Sequence, residues 1–432
     1  MTPDRRTSPR ERSEQMRLIP SSIDANARRL LLAKALRSIA DGYVSILLPA
    51  YLLQLGFTAF RVGILTTATL LGSAALTLLT GFITGRFGHR RPLVAASALM
   101  VATGLAFSSL EGFWPLVLVG FIGTLNPSSG DVSIFLPLEH SLLSQSVADR
   151  DRTTLFARYS LTGSLLGAIG TLLAGLPQLA ARELGMTSVQ AMQAMFWLYA
   201  LLGLGAGAIY YRVAESPPES PGSTLQPLGP SRGIVYRLAA LFAVDAFGGG
   251  LFIQAILALW LFKRFNLSVA TAATLFFWTG LLMSLSYLVA PLIARRIGLI
   301  RTMVFTHLPS NLCLIAIPFM SSLQGVVALL LIRSLLSQMD VPTRSSYVMA
   351  VVTPPERPAA AGLTAVPRSL ASAVSPTIAG LLISASTFGW PLIIGGVLKS
   401  AYDLTLLLMF QHIRPPEEAA ANAESPSAKH TS

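Results

Sequence analysis

The stretch GFITGRFGHRR, residues 81–91, ends one apolar segment and begins the next. Its central GRFG, residues 85–88, aligns with RRIG at residues 295–298, an offset of 210 residues. Four further matches keep the same order at offsets of 205 to 210: Gly56-Phe57-Thr58 with Asn266-Leu267-Ser268, Asp131-Val132 with Asp340-Val341, Asp151-Arg152 with Glu356-Arg357, and Ala174-Gly175-Leu176 with Ala379-Gly380-Leu381. Five matches in order at a nearly constant offset indicate a parallel duplication of one unit.

The composition around these matches places the chain in a membrane. Of its 432 residues, 53% are hydrophobic and 12% are charged, whereas a soluble domain carries about 25% charged residues. So little polar surface could not cover a globule of this size. A membrane span needs ~20 apolar residues, and the apolar runs predict twelve helices, at roughly 30–54, 59–82, 91–109, 113–144, 154–178, 187–211, 234–262, 268–294, 300–320, 323–350, 359–386 and 388–411.

The polar stretches between and around these runs set the predicted domains. Residues 215–232 are rich in Pro, Ser and Gly, a composition typical of a flexible linker. We expect an all-α membrane protein of two six-helix halves, with this division: a disordered cytoplasmic leader over 1–29, an N-terminal half over 30–211, a cytoplasmic linker over 212–233, a C-terminal half over 234–411 and a disordered cytoplasmic tail over 412–432. The first apolar run contains Lys34, Arg37 and Asp41, which favours an uncleaved span over a signal peptide.

Basic residues predict the orientation. With the amino terminus inside, 21 of the 32 Lys and Arg residues fall in inside segments and four in outside segments. The positive-inside rule then places both termini in the cytoplasm of an inner or plasma membrane. Because the basic residues lie between apolar runs, topology explains the net charge of +12 and no nucleic-acid partner is expected.

Enzyme and metal chemistry have little support in the sequence. Cys313 is the single cysteine, and the five histidines are scattered without a pair at ligand spacing. We find no HExxH sequence, no Ser-His-Asp signal and no glycine-rich phosphate loop followed by Lys. No catalytic residue, cofactor or metal site is therefore expected.

Residues 81–91 resemble the loop between helices 2 and 3 of the major facilitator superfamily, G-x-L-A-D-R-x-G-R-R/K. The matching positions are Gly81, Gly85, Arg86, Gly88, Arg90 and Arg91. The departure is Gly85, because the family usually has at this position an Asp that anchors a charge relay between the halves. Asp340 to Tyr347, followed by Glu356-Arg357 and Ala379-Gly380, resembles helices 10 and 11 of bacterial members. The resemblance implies a twelve-helix transporter fold, usually monomeric, with the solute site between the halves.

Four aspartates lie inside predicted spans. Asp41, Asp131, Asp245 and Asp340 fall on helices 1, 4, 7 and 10, which line the central cavity in the superfamily. An intramembrane carboxylate that loses its water when a cavity closes favours the protonated form, which would couple transport to protons. The alternative is structural pairing, because Arg37/Asp41, Asp340/Arg344 and Lys399/Asp403 are each four residues apart. Asp245 has no basic residue within a turn or two on its own helix, which favours function.

Other candidates for the cavity are polar residues on the same helices. Residues 126–130, NPSSG, form a polar, Pro- and Gly-broken stretch within helix 4, and such stretches line cavities or are buried in protein. Arg344 either holds an anionic group of a solute or neutralises Asp340. The substrate-cavity candidates are Arg37, Asn126, Ser128, Ser129, Arg344 and Tyr347.

The sequence therefore predicts a secondary active transporter that moves a small solute by rocker-switch alternating access, coupled to protons. An apolar cavity with a few carboxylates favours efflux of amphipathic or cationic compounds slightly over uptake. Two alternatives stay open: an uptake symporter of a small metabolite, and a membrane sensor or scaffold of the same fold that does not transport. The expected partners are the solute, the proton and the lipid bilayer.

Overall fold

The computed structural model describes residues 24–128, 133–146, 149–214, 229–353 and 356–410. The helices of the first half are α1 (Ala25–Gln54), α2 (Ala59–Phe87), α3 (Arg90–Ser109), α4 (Phe113–Ile122), α5 (Phe135–Gln145), α6 (Asp149–Leu173), α7 (Leu176–Glu183) and α8 (Ser188–Tyr211). Those of the second half are α9 (Arg232–Gly250), α10 (Gln254–Phe265), α11 (Val269–Ile297), α12 (Leu299–Ala316), α13 (Leu323–Leu336), α14 (Asp340–Val351), α15 (Arg357–Ala385) and α16 (Trp390–Phe410).

These helices confirm an all-α fold of twelve spans in two six-helix halves. Among the described residues, nine helical segments are long and apolar enough to cross a membrane. The 30-residue α1 is a tenth span that carries several charges. The fourth span is divided into α4 and α5 and the tenth into α13 and α14, which accounts for the remaining two. The seventh span is also divided, between α9 and α10, just after three consecutive glycines at residues 248–250, whereas the sequence analysis expected one continuous span there.

The duplication is visible in the helix starts. The Oγ1 of Thr58 accepts the backbone N–H of Arg61 at 3.3 Å, just before α2. The Oγ of Ser268 accepts the N–H of Thr271 at 3.1 Å, just before α11. Both are side-chain caps of the kind that satisfies the free amides of a first helical turn. Thr58 and Ser268 are one of the repeated pairs, so the offset seen in the sequence corresponds to equivalent structural positions.

The two halves meet closely on one side of the bundle. We call the face where α1 begins and α16 ends the terminal face, and the opposite face the distal face. Near the distal face, α2 packs on α15: the N–H of Phe60 donates to Ser384 Oγ at 2.9 Å, and the hydroxyls of Thr67 and Thr377 are 2.8 Å apart. At mid-depth, α6 meets α11, where the Ser164 and Ser284 hydroxyls are 2.7 Å apart.

Hydrophobic packing follows the same division. In the distal half, one cluster of buried side chains contains residues of both halves, including Leu47, Trp260 and Ile383. Toward the terminal face, each half has its own cluster, around Tyr210 in the first half and Phe410 in the second. The halves therefore share a core at the distal face and have separate cores at the terminal face.

Candidate functional site

Two broken helices meet at the junction of the halves. The chain leaves α4 at Ile122, and residues 251–253 separate α9 from α10. The N–H of Ala255 donates to the Pro127 carbonyl at 3.1 Å, which joins the two breaks directly. Irregular backbone at membrane depth is found where it is buried in protein or lines a water-filled cavity. We call this junction, with Asn126, Ser128 and Gln254, the central site.

The side chains of the central site carry hydrogen-bonding groups into an apolar region. Asn126 is 2% exposed, and its Oδ1 accepts the Ser128 N–H at 3.1 Å and the Ser128 hydroxyl at 2.7 Å. Gln254 Nε2 is buried and has no hydrogen-bond partner among the described residues. An unsatisfied buried amide is costly, so this donor would gain from a further hydrogen-bond partner.

Asp41 lies near the central site. It is partly buried on α1 and within electrostatic range of Tyr199, whose hydroxyl donates to the Thr124 carbonyl at 2.9 Å. Thr124 is in the break that follows α4. The predicted site residues Ser129 and Asp131 lie outside the described residues, so of the broken stretch only Asn126 and Ser128 are placed here.

The second half contains a buried charged cluster toward the terminal face. Asp245 of α9 accepts hydrogen bonds from Lys399 Nζ at 2.6 Å and from Arg344 Nη2 at 3.0 Å. Arg344 also bonds Asp340, four residues earlier on α14. All four side chains are at most 10% exposed. Two carboxylates and two cations are thus paired across three helices. Arg344 neutralises Asp340, which is one of the two roles that the sequence analysis gave for Arg344.

The first half contains a smaller cluster at a corresponding depth. Arg37 of α1 bonds Glu139 of α5, and the Tyr210 hydroxyl donates to Glu139 Oε1 at 2.6 Å. The Tyr159 hydroxyl also donates to this carboxylate. Glu139 is 0% exposed and Arg37 is 3% exposed. Arg37 is therefore held by an acid on another helix, and it stabilises the core of the first half.

These two ion pairs occupy matching positions of the duplication with their charges exchanged. Arg37 and Asp245 are separated by 208 residues, and Glu139 and Arg344 by 205, within the range of offsets of the repeat. Each pair joins the first helix of its half to the second part of the fourth. The repeat offset therefore relates the two ion pairs in the sequence itself. Glu139, however, is not among the predicted site residues.

A third buried group joins α12 to α16. His307 Nδ1 lies 3.0 Å from each carboxylate oxygen of Asp403, and Asn311 Nδ2 donates to Asp403 Oδ2 at 2.8 Å. The expected pairing of Lys399 with Asp403 is replaced, because Lys399 donates to Asp245 instead. Spacing by four residues permits a contact, but the stronger partner lies on another helix.

Tyr347 and the loop motif are placed away from the central site. Tyr347 is 0% exposed in the core of the second half, where its ring is edge-on to Phe410 with centroids 6.3 Å apart. It packs in that core, whereas the sequence predicted it as a cavity residue. Gly81, Gly85 and Arg86 fall within the last turns of α2, where the structure describes the helix but not the side chains.

The rest of the loop motif forms the turn between α2 and α3. Gly88 has φ +68°, in the left-handed region where glycine is favoured. The Arg90 guanidinium lies over the Tyr211 ring at 4.7 Å, which joins the turn to the end of α8, while Arg91 is exposed. Arg91 also borders an apolar cavity of about 330 Å³ between α2 and α3.

Glu356 ties the start of the second half to the loop before α15, outside the membrane-spanning segments. Its carboxylate accepts hydrogen bonds from the hydroxyls of Thr353 and Ser231 and from the Gly229 N–H. The hydrogen bonds that the Thr353 and Ser231 hydroxyls donate are the main reason why the pKa of Glu356 is lowered to about 2. Ser231 directly precedes α9, so this carboxylate anchors the end of the connection between the halves.

We expect the stability of the protein to fall at acid pH partly through Glu356. The pKa of this carboxyl is lower in the folded protein than in the unfolded chain, so its ionised form stabilises the folded state. That stabilisation is complete above the unfolded pKa and is lost as pH falls toward about 2. The variant Glu356→Gln should have a lower Tm at pH 7 and a smaller decrease in Tm between pH 5 and pH 3 than the wild type. Glu111→Gln, at an exposed position in the loop before α4, is the control. Equal pH profiles for the three proteins would contradict the anchor.

The sequence and the fold both have known relatives. The family model of the Major Facilitator Superfamily matches residues 30–337. A Saccharomyces cerevisiae protein named "Uncharacterized membrane protein YJR124C" is 24% identical over 410 residues, covering 87% of this chain and 92% of that protein. An Escherichia coli protein named "Uncharacterized MFS-type transporter YcaD" is 27% identical over 143 residues, covering 32% of this chain and 36% of that protein.

Solved structures show the same fold. A mutant of the nucleoside transporter NupG superposes with a TM-score of 0.71 at 14% identity, covering 89% of this chain and 99% of that one. The inward open xylose transporter XylE from E. coli superposes with a TM-score of 0.70 at 13% identity, covering 92% of this chain and 99% of that one. At such identities the likeness extends to the fold and not to the solute.

Proposed function

The chain belongs to the Major Facilitator Superfamily, and from this membership and the geometry above we propose a proton-coupled carrier that moves a small solute by rocker-switch alternating access. It is an integral membrane protein and a secondary transporter rather than an enzyme. The observation that carries the proposal is the arrangement of the cores, which are shared by both halves at the distal face and separate at the terminal face.

The proposal includes an orientation. With 21 basic residues in inside segments against four outside, the terminal face is the cytoplasmic face of an inner or plasma membrane. The opening between the halves then faces the cytoplasm. The leader over 1–29, the linker over 212–233 and the tail over 412–432 are cytoplasmic in this arrangement, and the carrier acts as a monomer.

The central site is the proposed solute site. Broken helices in transporters expose backbone and side-chain hydrogen-bonding groups near mid-depth. Here the buried Gln254 Nε2 is a donor without a partner among the described residues, and the partly buried Asp41 is a nearby acid. A solute with both an acceptor group and a cationic or amphipathic part fits this pair, which keeps efflux ahead of uptake. Asp131 and Ser129 stay predictions for the same site.

Coupling to protons is the finer part of the proposal. Asp245 and Asp340 are coupling candidates in the sequence, but in the structure each has a cation within hydrogen-bonding distance. A carboxylate paired in this way favours the ionised form. Asp41 stays a coupling candidate because of its place on α1, partly buried beside the proposed solute site.

A thermal-shift screen of the purified protein against drugs, sugars, organic acids and metabolites at pH 6 and pH 8 would find the solute class. We expect the stabilisation by a bound solute to be lost in Gln254→Leu and retained in Gln193→Leu, because Gln193 lies near the distal edge and bonds the exposed Glu111. Reconstituted vesicles with an imposed pH gradient then test transport and its direction. A solute that binds without flux would overturn the carrier proposal in favour of a sensor.

A further inference from the structure

One face of α15 runs from the terminal face into the core that the two halves share. Its residues are spaced by three, four or seven, which places them on one side of a helix. The first three are exposed, the fourth is partly buried, and the last two belong to the cluster that contains residues of both halves. In that order they are Ala361, Ala365, Arg368, Ser372, Ala379 and Ile383. This face therefore lines the space between the halves, and Arg368 is the charged member of the set.

Other faces of α15 show where the halves separate. A methyl group at Gly380 would lie 2.5 Å from the Ala59 carbonyl oxygen of α2. Gly362 lies five turns earlier on the same side of the helix, and a methyl group there would meet no atom within 4 Å. The exposed apolar residues Leu363 and Leu370 cover a different side. Ionisable residues within spans face the bundle interior or a water-filled cavity, so the exposed arginine of this helix lies in the opening between the halves.

Arg368 lies beside the charged cluster of the second half without sharing its hydrogen bonds. It is within electrostatic range of Asp245, Asp340 and Arg344. Those three side chains bond one another or Lys399. Among the described residues, Arg368 has no hydrogen-bond or ion-pair partner of its own. Its guanidinium is therefore exposed and able to bind an anion without breaking an existing pair.

Arg368 also lies between the terminal face and the central site. Gly250 ends α9, and a methyl group there would lie 2.4 Å from the Ser372 carbonyl oxygen. Ser372 is about one helical turn beyond Arg368, so Arg368 lies about one turn to the terminal side of the break between α9 and α10. Gln254 directly follows that break. A solute that enters from the terminal side passes the guanidinium before it reaches the central site.

We propose that the solute is an organic acid whose carboxylate, phosphate or sulfonate group binds to Arg368. A guanidinium presents its N–H donors in a planar fork that matches such groups, and it stays charged at physiological pH. The inference rests on the proposed transport function, because it names the class of solute for the same route. It narrows that solute to an acid whose amphipathic or cationic remainder reaches Gln254 and Asp41.

The experiment is thermal unfolding of the full-length protein in detergent with three probes that share a phenylalkyl body. The probes are 4-phenylbutyrate, 4-phenylbutanol and 4-phenylbutylamine, whose end groups are anionic, neutral and cationic. At pH 7.4 and constant ionic strength, we expect a titration with 4-phenylbutyrate to raise the Tm by about 2 °C or more, because a ligand that binds the folded state stabilises it. The alcohol and the amine should have smaller effects.

Two substitutions identify the group that binds the anion. Arg368→Gln should keep the Tm of the ligand-free protein, since no described partner loses a bond. It should weaken binding of 4-phenylbutyrate about 10- to 100-fold, the usual effect of removing a charge-assisted hydrogen bond. Arg368→Lys keeps the charge without the planar fork and should retain part of the binding. Arg301→Gln is the matched control, because it removes an exposed arginine near the start of α12, and it should bind the probe as the wild type does.

Four results would overturn the inference. The first three are no stabilisation of the wild type by 4-phenylbutyrate, equal stabilisation of the wild type and Arg368→Gln, and a larger effect of the amine than of the acid. The fourth is a marked fall in the Tm of ligand-free Arg368→Gln, because it would mean that a structural ion pair holds this arginine.

Transport measurements separate this inference from the proposed function. In reconstituted vesicles, a neutral or cationic solute whose transport Arg368→Gln leaves unchanged would refute the acid and leave the carrier proposal standing. If 4-phenylbutyrate binds through Arg368 but no organic acid crosses the membrane under any gradient, the anion site stands and the carrier proposal fails. Uptake or release of an organic acid that is lost in Arg368→Gln and kept in Arg301→Gln supports both.

Discussion

Arg344→Met is expected to destabilise the folded protein by about 3–5 kcal/mol, the usual cost of removing one partner from a buried ion pair. Arg344 bonds both Asp245 and Asp340. Asp245 keeps Lys399 in the variant, but Asp340 loses the one cation that is hydrogen-bonded to it among the described residues, and Lys399 and Arg368 act on it only at longer range. The cost therefore comes from an uncompensated buried carboxylate and not from the lost contacts alone. Thermal or denaturant unfolding of the detergent-purified protein measures it.

A second substitution tests that cause. Removing the stranded charge with Asp340→Leu in the Arg344→Met background should recover most of the lost stability, since an apolar pair of similar volume can replace a buried ion pair. Arg301→Met is the matched control, because Arg301 is exposed on α12 and surface changes usually stay within about 0.5 kcal/mol. If Arg344→Met were as mild as Arg301→Met, the cluster would not hold the second half together.

The sequence predicted the spans because hydrophobic length is a local property. The polar stretch at residues 126–130 predicted the break of the fourth span, whereas the tenth span was expected to be continuous over 323–350. The break between α9 and α10 did have a local signal, because Gly248, Gly249 and Gly250 directly precede residues 251–253 and consecutive glycines favour a break, but the prediction of one span over 234–262 did not use it. The partner of that break is Pro127 of another span, whose carbonyl accepts the Ala255 amide, and a partner so distant in the chain leaves no local pattern.

Ion pairs show the same limit. Asp340 and Arg344 share a helix face at a spacing of four and do pair, as the sequence allowed. Lys399 and Asp403 have the same spacing, but Lys399 pairs with Asp245 of α9. The spacing of two charged residues along one helix shows that an ion pair between them is possible. Whether that pair forms depends on the charged residues that neighbouring helices bring into contact. The duplication offset carries a signal for contacts between helices, in the exchanged charges of Arg37 with Glu139 and Asp245 with Arg344, but the predicted sites did not include these pairs.

The matching ion pairs also explain why each half moves as a unit in the proposed cycle. Each pair joins the first and fourth spans of its half near the terminal face, where the two halves have separate cores. A half that is bound together there can separate from its partner without losing its own packing. The contact that must open and close in turn is then the distal one, between α2 and α15.

Gly380→Val is expected to abolish transport while leaving the protein folded. A methyl group at Gly380 would lie 2.5 Å from the Ala59 carbonyl oxygen and 3.0 Å from the Gly63 Cα. Both are backbone atoms of α2, which cannot rotate away as a side chain could. Overpacking of this kind costs about 1–3 kcal/mol, and here the strain is relieved by separating the halves at the distal face. A shift of about 1.4 kcal/mol changes the ratio of open to closed forms about tenfold.

The same helix provides the control for this prediction. A methyl group at Gly362 would meet no atom within 4 Å, so Gly362→Val adds the same side chain to α15 without a clash. In a Cys313→Ala background with Thr67→Cys, a water-soluble maleimide should react faster in Gly380→Val than in Gly362→Val, because Thr67 is covered by Thr377 only while the distal face is closed. Slow labelling in both, or transport retained by Gly380→Val, would mean that the α2–α15 contact tolerates the valine and does not need to close tightly for the cycle to run.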